Sequence, residues 1–256
     1  VNHLINVSIS IVYVVGGYCC FVWGDVKAHK LRHKYYHLQT KIVLTTTFCL
    51  IMFPALFLFL FEFSRDCWDG LSLQERFMAS LFQSVTTRTA GFNSVDLNQL
   101  SEAAQLLVVI LMIIGGSPGS TAGGIKTTTF ALAILCLRSA FQNQESIQCY
   151  KRRIPYDILR NAIAILALYI SLMLTATFLI TWLDDVNLME AAFETSSAVA
   201  TVGLSLGITG DLSTFSKIIL ILLMYFGRVG GLTMLYALTN RKKLPVLLPQ
   251  ERITVG

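Results

Sequence analysis

Charge is scarce in this chain. Asp, Glu, Lys and Arg make up 14% of its 256 residues, where an ordinary soluble domain carries about 25%. Hydrophobic residues reach 54% and the mean hydropathy is +0.63. Several apolar runs approach the ~20 residues that a helix needs to cross a bilayer. These values exclude a soluble globule and define an integral membrane protein. No Ser/His/Asp set or carboxylate pair is spaced for catalysis, so no enzyme is expected. The six cysteines (Cys19, Cys20, Cys49, Cys67, Cys136 and Cys149) lack metal-ligand spacing. Most lie in or beside apolar runs, with Cys67 alone in an expected extracellular loop, and they read as free thiols. A signal-peptide pattern is also lacking, and the first residue is Val1 rather than Met. A fragment of a longer chain is therefore expected.

What charge there is falls unevenly. Basic residues cluster at Lys27, Lys30, Arg32, Lys34 and Lys41, then at Arg138, Lys151, Arg152, Arg153 and Arg160, and again at Arg241, Lys242, Lys243 and Arg252. Most acids lie in the loops between: Glu62, Asp66, Asp69, Glu75, Asp184, Asp185 and Asp211, accompanied by Arg65, Arg76 and Lys217. The asymmetry puts the basic loops and the C-terminus in the cytoplasm. A nucleic-acid patch would use similar residues, but their placement between spans argues against it.

Apolar runs at 4–24, 42–63, 101–138, 156–183 and 214–238 read as spans, with Pro54 as a kink in the second. The third is interrupted by Gly115, Gly116, Pro118, Gly119, Gly123 and Gly124. Segments 73–86 and 187–198 are too short to cross. Each lies between a span that ends outside and one that starts outside, so it can only dip in and return. Irregular backbone at membrane depth is tolerated where it is buried in protein or lines a wet cavity. Two such segments imply a polar pathway.

The two units repeat at an offset of 112 residues, pairing Ala79 with Ala191, Ser84 with Ser196, Thr89 with Thr201 and Gly91 with Gly203. The same offset pairs Gly115 with Gly227, Gly119 with Gly231 and Thr121 with Thr233 without a gap. Both copies begin on the basic side and so share one orientation, unlike the inverted repeats of many secondary transporters. The expected division is residues 1–40 as the end of a preceding repeat and a cytoplasmic loop, 41–140 as one pore repeat with a broken inner helix, and 141–256 as the next repeat with a C-terminal tail. The expected fold is an all-α membrane protein of repeated span–re-entrant pore loop–span units around a central ion pore.

Each short segment ends in a Thr-x-Gly turn, Thr89-Ala90-Gly91 in the first and Ala200-Thr201-Val202-Gly203 in the second. A potassium ion sheds water to enter a narrow pore, and backbone carbonyls can replace that water where glycine lets them point inward. The helix ahead aims its partly negative C-terminal end at the same place. One such turn is ordinary; two in register, each between two spans, mark a selectivity filter with potassium at the carbonyls. The run Gly115-Gly116-Ser117-Pro118-Gly119, continuing to Gly123 and Gly124, cannot sustain a continuous helix. It reads as a flexible gate, or as close packing by small residues. A phosphate loop is disfavoured because Ile125 intrudes before Lys126-Thr127 and no strand precedes. Three charges are expensive at this depth and mark functional candidates. Arg228 either hinders cations in the pore or pairs with Glu194. Arg88 either braces the filter through pore-helix groups or meets the ion. Lys126 either serves the gate or snorkels to the interface.

Thr86-Thr87-Arg88-Thr89-Ala90-Gly91-Phe92 resembles the third filter of KtrB-type subunits of the Trk/Ktr/HKT superfamily of potassium transporters. Gly115 to Thr127 resembles that family's intramembrane gating loop, and Gly227-Arg228-Val229-Gly230-Gly231-Leu232-Thr233 its last inner helix with an arginine below the filter. The resemblance covers essentially the whole chain. It implies four repeats around one pore, of which this chain holds the third and fourth, with 4–24 and its Gly16-Gly17 ending the second. It further implies a homodimer in membrane lipid that admits potassium, with or without stimulation by sodium, under a cytosolic regulatory ring that carries the nucleotide. The competing expectations are an alternating-access secondary transporter with broken helices and a non-conducting membrane fragment.

Overall fold

A computed structural model describes residues 3–30, 33–65, 68, 70–144 and 146–238. Cys67, Asp66, Asp69, Arg32 and the basic segment 241–252 lie outside the described residues. Ten α-helices follow in order: α1 (His3–Gly16), α2 (Cys20–His29), α3 (Leu38–Phe57), α4 (Leu73–Thr86), α5 (Glu102–Ile113), α6 (Thr127–Phe141), α7 (Tyr156–Asp184), α8 (Leu188–Ala200), α9 (Thr214–Val229) and α10 (Gly231–Leu238). A two-residue hairpin, β1 (Gln148–Cys149) with β2 (Arg152–Arg153), joins α6 to α7.

Among the described residues, two helices are long and apolar enough to cross a bilayer, Leu38–Glu62 and Tyr156–Asp184. The first carries Pro54 inside α3 and continues as a π-helical segment, Leu58–Glu62. Proline at 54 removes the amide that would bond Leu50 O. The Ser84 hydroxyl of α4 bonds Ile51 O at 2.7 Å and approaches Leu50 O at 3.4 Å, so the loosened carbonyls are served by the next helix.

Two expected continuous spans are broken. Residues 4–24 are two helices, bent by 90° between Gly16 and Cys20. Residues 214–238 divide at Gly230 (φ +89) into α9 and α10. In each case paired glycines tolerated by close helix packing end the helix instead. The broken stretch expected within 101–138 separates α5 from α6, with Ile114 and Ile125 bridged as parallel β partners at its neck.

The short helices and the second helix of each unit begin with side-chain caps. Ser72 and Glu75 form a capping box on α4. Asn187 caps α8, Ser101 caps α5 and Ser213 caps α9. Ser101 and Ser213 are repeat equivalents, and an acid at the end of the preceding long helix holds each. Glu62 accepts the Ser101 amide at 3.0 Å and Asp184 accepts the Ser213 amide at 3.1 Å. Glu62 is therefore a buried tie between helices, also bonded to Arg65 at 2.9 Å, and not merely an exposed loop acid. The main core gathers α5, α7, α8 and α9 around Val108, Met112, Tyr169, Ile180, Phe193 and Leu223. The five described cysteines are free thiols.

Candidate functional site: two turns and a carbonyl-rich loop

The ends of α4 and α8 are buried. Ser80 and Phe82 to Thr87 are inaccessible or nearly so in the first, and Phe193 to Ala200 in the second. Both helices deliver their chain into turns of the same backbone hand. Thr89 (φ +70) and Gly91 (φ +73) are left-handed, as are Thr201 (φ +55) and Gly203 (φ +94). Left-handed residues separated by one other turn successive carbonyls towards one side, the geometry a dehydrated cation requires. The glycines adopt it freely; the threonines adopt it at a steric cost. The two threonine conformers were invisible in the sequence, although the threonines themselves were in register.

The turns meet. A Cβ on Gly91 would lie 2.2 Å from Val202 O, whereas one on Gly203 would find its nearest neighbour, Gly91 Cα, at 4.0 Å. The first turn is closed by Thr86, whose Oγ1 donates to Phe92 O (2.6 Å) and accepts from Phe92 N (3.0 Å). Ala90 N bonds Thr86 O at 3.1 Å. The second is closed by Gly203 N donating to Ser197 Oγ at 3.1 Å and Val202 N to Ser197 O at 2.9 Å. Tyr13 of α1 donates its hydroxyl to Thr89 O.

Glu194 is 5% exposed and does not touch Arg228. Its Oε1 accepts from Thr209 Oγ1 at 3.0 Å and from Ser205 Oγ, which fixes the chain just beyond the second turn. Of the two readings of Arg228, the pair with Glu194 does not form: each charge is bonded to neutral groups instead.

Three basic side chains from three elements converge on carbonyls of the 114–126 loop. Arg88 Nη2 reaches Gly115 O (3.4 Å), Lys126 Nζ bonds Ala122 O (2.5 Å) and Arg228 Nη1 bonds Thr121 O (2.6 Å). Arg88 thus braces the loop beneath the turns and not pore-helix groups, and Lys126 turns inward. The main-chain dipoles of an irregular segment supply acceptors that the surrounding helices cannot. Ser117, 1% exposed, fastens the loop to the corner between α1 and α2: its amide (3.1 Å) and its hydroxyl (2.8 Å) both bond Gly17 O. Gly123 and Gly124 pack under the second turn, where a Cβ would lie 2.2 Å from Thr201 Oγ1 and 3.2 Å from Ala200 Cβ respectively. Gly119 sits over Cys19, and Pro118 lies at the loop's outer edge.

Three cavities adjoin these elements. One of about 390 Å³ is lined by Asn93, Ser94, Asp96, Ser205 and Gly207, the residues that follow both turns. A second of about 390 Å³ is lined by Gly17, Arg88, Thr89, Thr121, Thr201 and Arg228. A third of about 530 Å³ is lined by Ser120, Lys126, Gly227, Arg228 and residues of α10. Thr121, Ala122 and Arg228 line both of the last two, so loop and arginine form the partition between them.

Two helix–turn–helix units of apolar helices, each with a broken second helix, define an all-α membrane transport protein. The cation transport protein family TrkH matches residues 26–251, and the chain belongs to that family. It is 33% identical to Ktr system potassium uptake protein B of Vibrio alginolyticus, over 100% of this chain and 56% of that protein. It is 37% identical to Ktr system potassium uptake protein D of Bacillus subtilis, over 91% of this chain and 52% of that protein. It is 34% identical to the potassium/sodium uptake protein NtpJ of Enterococcus hirae, over 100% of this chain and 58% of that protein. The fold matches the potassium transporter TrkH of Vibrio parahaemolyticus with a TM-score of 0.73 at 21% identity, covering 93% of this chain and 52% of that one. The chain therefore spans little more than half the length of these relatives.

Proposed function

We propose that this chain forms one half of the wall of a selective, gated potassium uptake pore. The observation that carries it is the pair of equivalent turns in contact, each with a left-handed threonine and a left-handed glycine, set above a cavity that the 115–126 loop partitions. Carbonyls of Thr89, Ala90, Gly91, Ala200, Thr201, Val202 and Gly203 would replace the water of a potassium ion. Gly115, Gly116, Ser117, Pro118, Gly119, Gly123 and Gly124 form the gate, held by Lys126 and Arg228, with Arg88 and Glu194 supporting the filter. Residues 41–140 and 141–256 serve as successive pore repeats, and 1–40 ends the one before. The basic loops face the cytoplasm and the complete protein works as a homodimer. The names of its relatives, which include a Ktr system and a potassium/sodium uptake protein, support potassium as the cargo, sodium as a second ion and a multi-component assembly; in this proposal the partner is a cytosolic regulatory subunit that carries the nucleotide.

The test is potassium-dependent growth and uptake by the complete transporter with sodium as competitor. Gly91→Ser and Gly203→Ser are each expected to lower the preference for potassium. Wild-type preference in both, at normal expression, would remove the filter from these turns.

A further inference from the structure

The hairpin between α6 and α7 is built in a way the pore does not explain. Its two turn residues, Tyr150 (φ +49) and Lys151 (φ +62), are both left-handed. Such a turn normally takes Asn-Gly, and neither Tyr nor Lys adopts it cheaply. The strain is held in place from outside the hairpin. The Tyr150 hydroxyl shares a 2.7 Å hydrogen bond with Thr45 Oγ1 of α3, and Lys41 Nζ lies 5.8 Å from the Tyr150 ring centroid. Ile154 is buried beneath the hairpin against Leu132 and Ala162. The result is a rigid mount that presents Lys151, Arg152 and Arg153 outward, all three exposed.

None of the three has an acidic partner among the described residues, where Glu62 and Arg65 do form an ion pair. Their neighbours are those of a membrane boundary. Tyr156, the first residue of the α7 span, is 78% exposed and Phe141, the last of α6, is 88% exposed. Exposed aromatics at the end of an apolar span belong at headgroup level. Cations immediately cytoplasmic of a span, at that level, attract anionic lipid.

We propose that the hairpin is a binding site for the phosphate headgroup of an anionic phospholipid, with Lys151, Arg152 and Arg153 as the cationic contacts and Tyr156 and Phe141 against the acyl chains. The proposal rests on the cytoplasmic orientation given under the proposed function. It fixes a lipid, rather than the acidic face of a soluble protein, because the cations share their level with lipid-exposed aromatics.

The experiment is native mass spectrometry of the complete transporter in detergent with added phosphatidylglycerol, and with phosphatidylcholine of the same chains for comparison. The triple variant Lys151→Gln, Arg152→Gln, Arg153→Gln is expected to retain less phosphatidylglycerol, on the order of fivefold per cation removed, with phosphatidylcholine unchanged. The variant Arg152→Lys, Arg153→Lys keeps the charge and is expected to retain phosphatidylglycerol as the wild type does. Equal retention by wild type and triple variant overturns the proposal, as does loss in the lysine variant. Loss of a co-purifying soluble subunit with phosphatidylglycerol retention intact also overturns it, in favour of a protein contact. Labelling of Lys151→Cys, in a Cys67→Ser background that is itself unlabelled, by an impermeant maleimide from outside intact cells overturns the orientation and this site together, whereas potassium uptake by the triple variant reports on the pore alone.

Discussion

The two repeats share a backbone and differ in how they hold it. At the offset that aligns their glycines, Arg88 of the first repeat corresponds to Ala200 of the second, and Glu194 of the second to Phe82 of the first. The first turn is braced inward, by a guanidinium that reaches the loop below it. The second is braced outward, by a buried carboxylate that gathers the hydroxyls of Ser205 and Thr209 beyond it. Each repeat lacks the other's charge. The repeated unit thus keeps its turn geometry and divides the supporting work, one copy coupling to the loop and the other to the chain just beyond its own turn.

The comparison is broken most severely at the glycines. A serine at Gly91 meets Val202 O and occupies a left-handed residue, while at Gly203 only the backbone strain applies, itself about 1–3 kcal/mol. Gly91→Ser is therefore expected to reduce both folded yield and potassium preference strongly, and Gly203→Ser preference with a smaller loss of yield, in detergent-extracted yield and competitive uptake. A serine at Gly24, with nothing within 4 Å, is the neutral reference. Gly116 would be a poor one, because its Cβ would lie 2.7 Å from Ser120 Oγ.

Next in size is the carboxylate. Glu194→Ala leaves the Ser205 and Thr209 hydroxyls only each other, 3.1 Å apart, so that one donor is unpaired at about 1–3 kcal/mol, and is expected to lower the thermal unfolding midpoint and the selectivity together. Glu194→Gln keeps an acceptor oxygen and should recover most of both; equal damage from the two variants would mean that the charge, and not the bracket, matters. The loop comes third. Arg228→Gln removes a cation from Thr121 O, worth about 1 kcal/mol for an exposed side chain, and is expected to raise flux without the regulatory subunit. Arg88→Lys keeps the charge but loses the planar reach to Gly115 O and should do the same, with a loss of selectivity because the same bond braces the first turn; selectivity loss without a flux change would leave Arg88 as a support of the filter alone. The smallest effect is expected from Ser117→Ala, which removes one of two bonds to Gly17 O, about 0.5–1.5 kcal/mol, read as a slight rise in unregulated flux.

Much of this architecture was legible in the sequence because it is carried by residues that repeat. Thr89 and Thr201, Gly91 and Gly203, and Gly115 and Gly227 stand in register, and hydropathy alone located most of the helices. The helix breaks at Gly17 and Gly230 were not legible, since paired glycines in an apolar run fit a close-packed helix as well as a corner. Nor were the partners of Arg88, Lys126 and Arg228. Sequence reasoning seeks an acid for every base, and here the acceptors are main-chain carbonyls, whose direction depends on how an irregular loop folds. The same limit hid the role of Glu62, placed in a loop by its charge and found buried as a tie between α3 and α5.

The corner at Gly17 has a mechanical meaning. Helix α2 leaves it at 90° and runs for ten residues, an arm of about 15 Å at 1.5 Å per residue. Ser117 grips the carbonyl at the fulcrum of that arm. A turn of α2 about that corner would be felt by the loop at Gly17 O, which takes both bonds from Ser117.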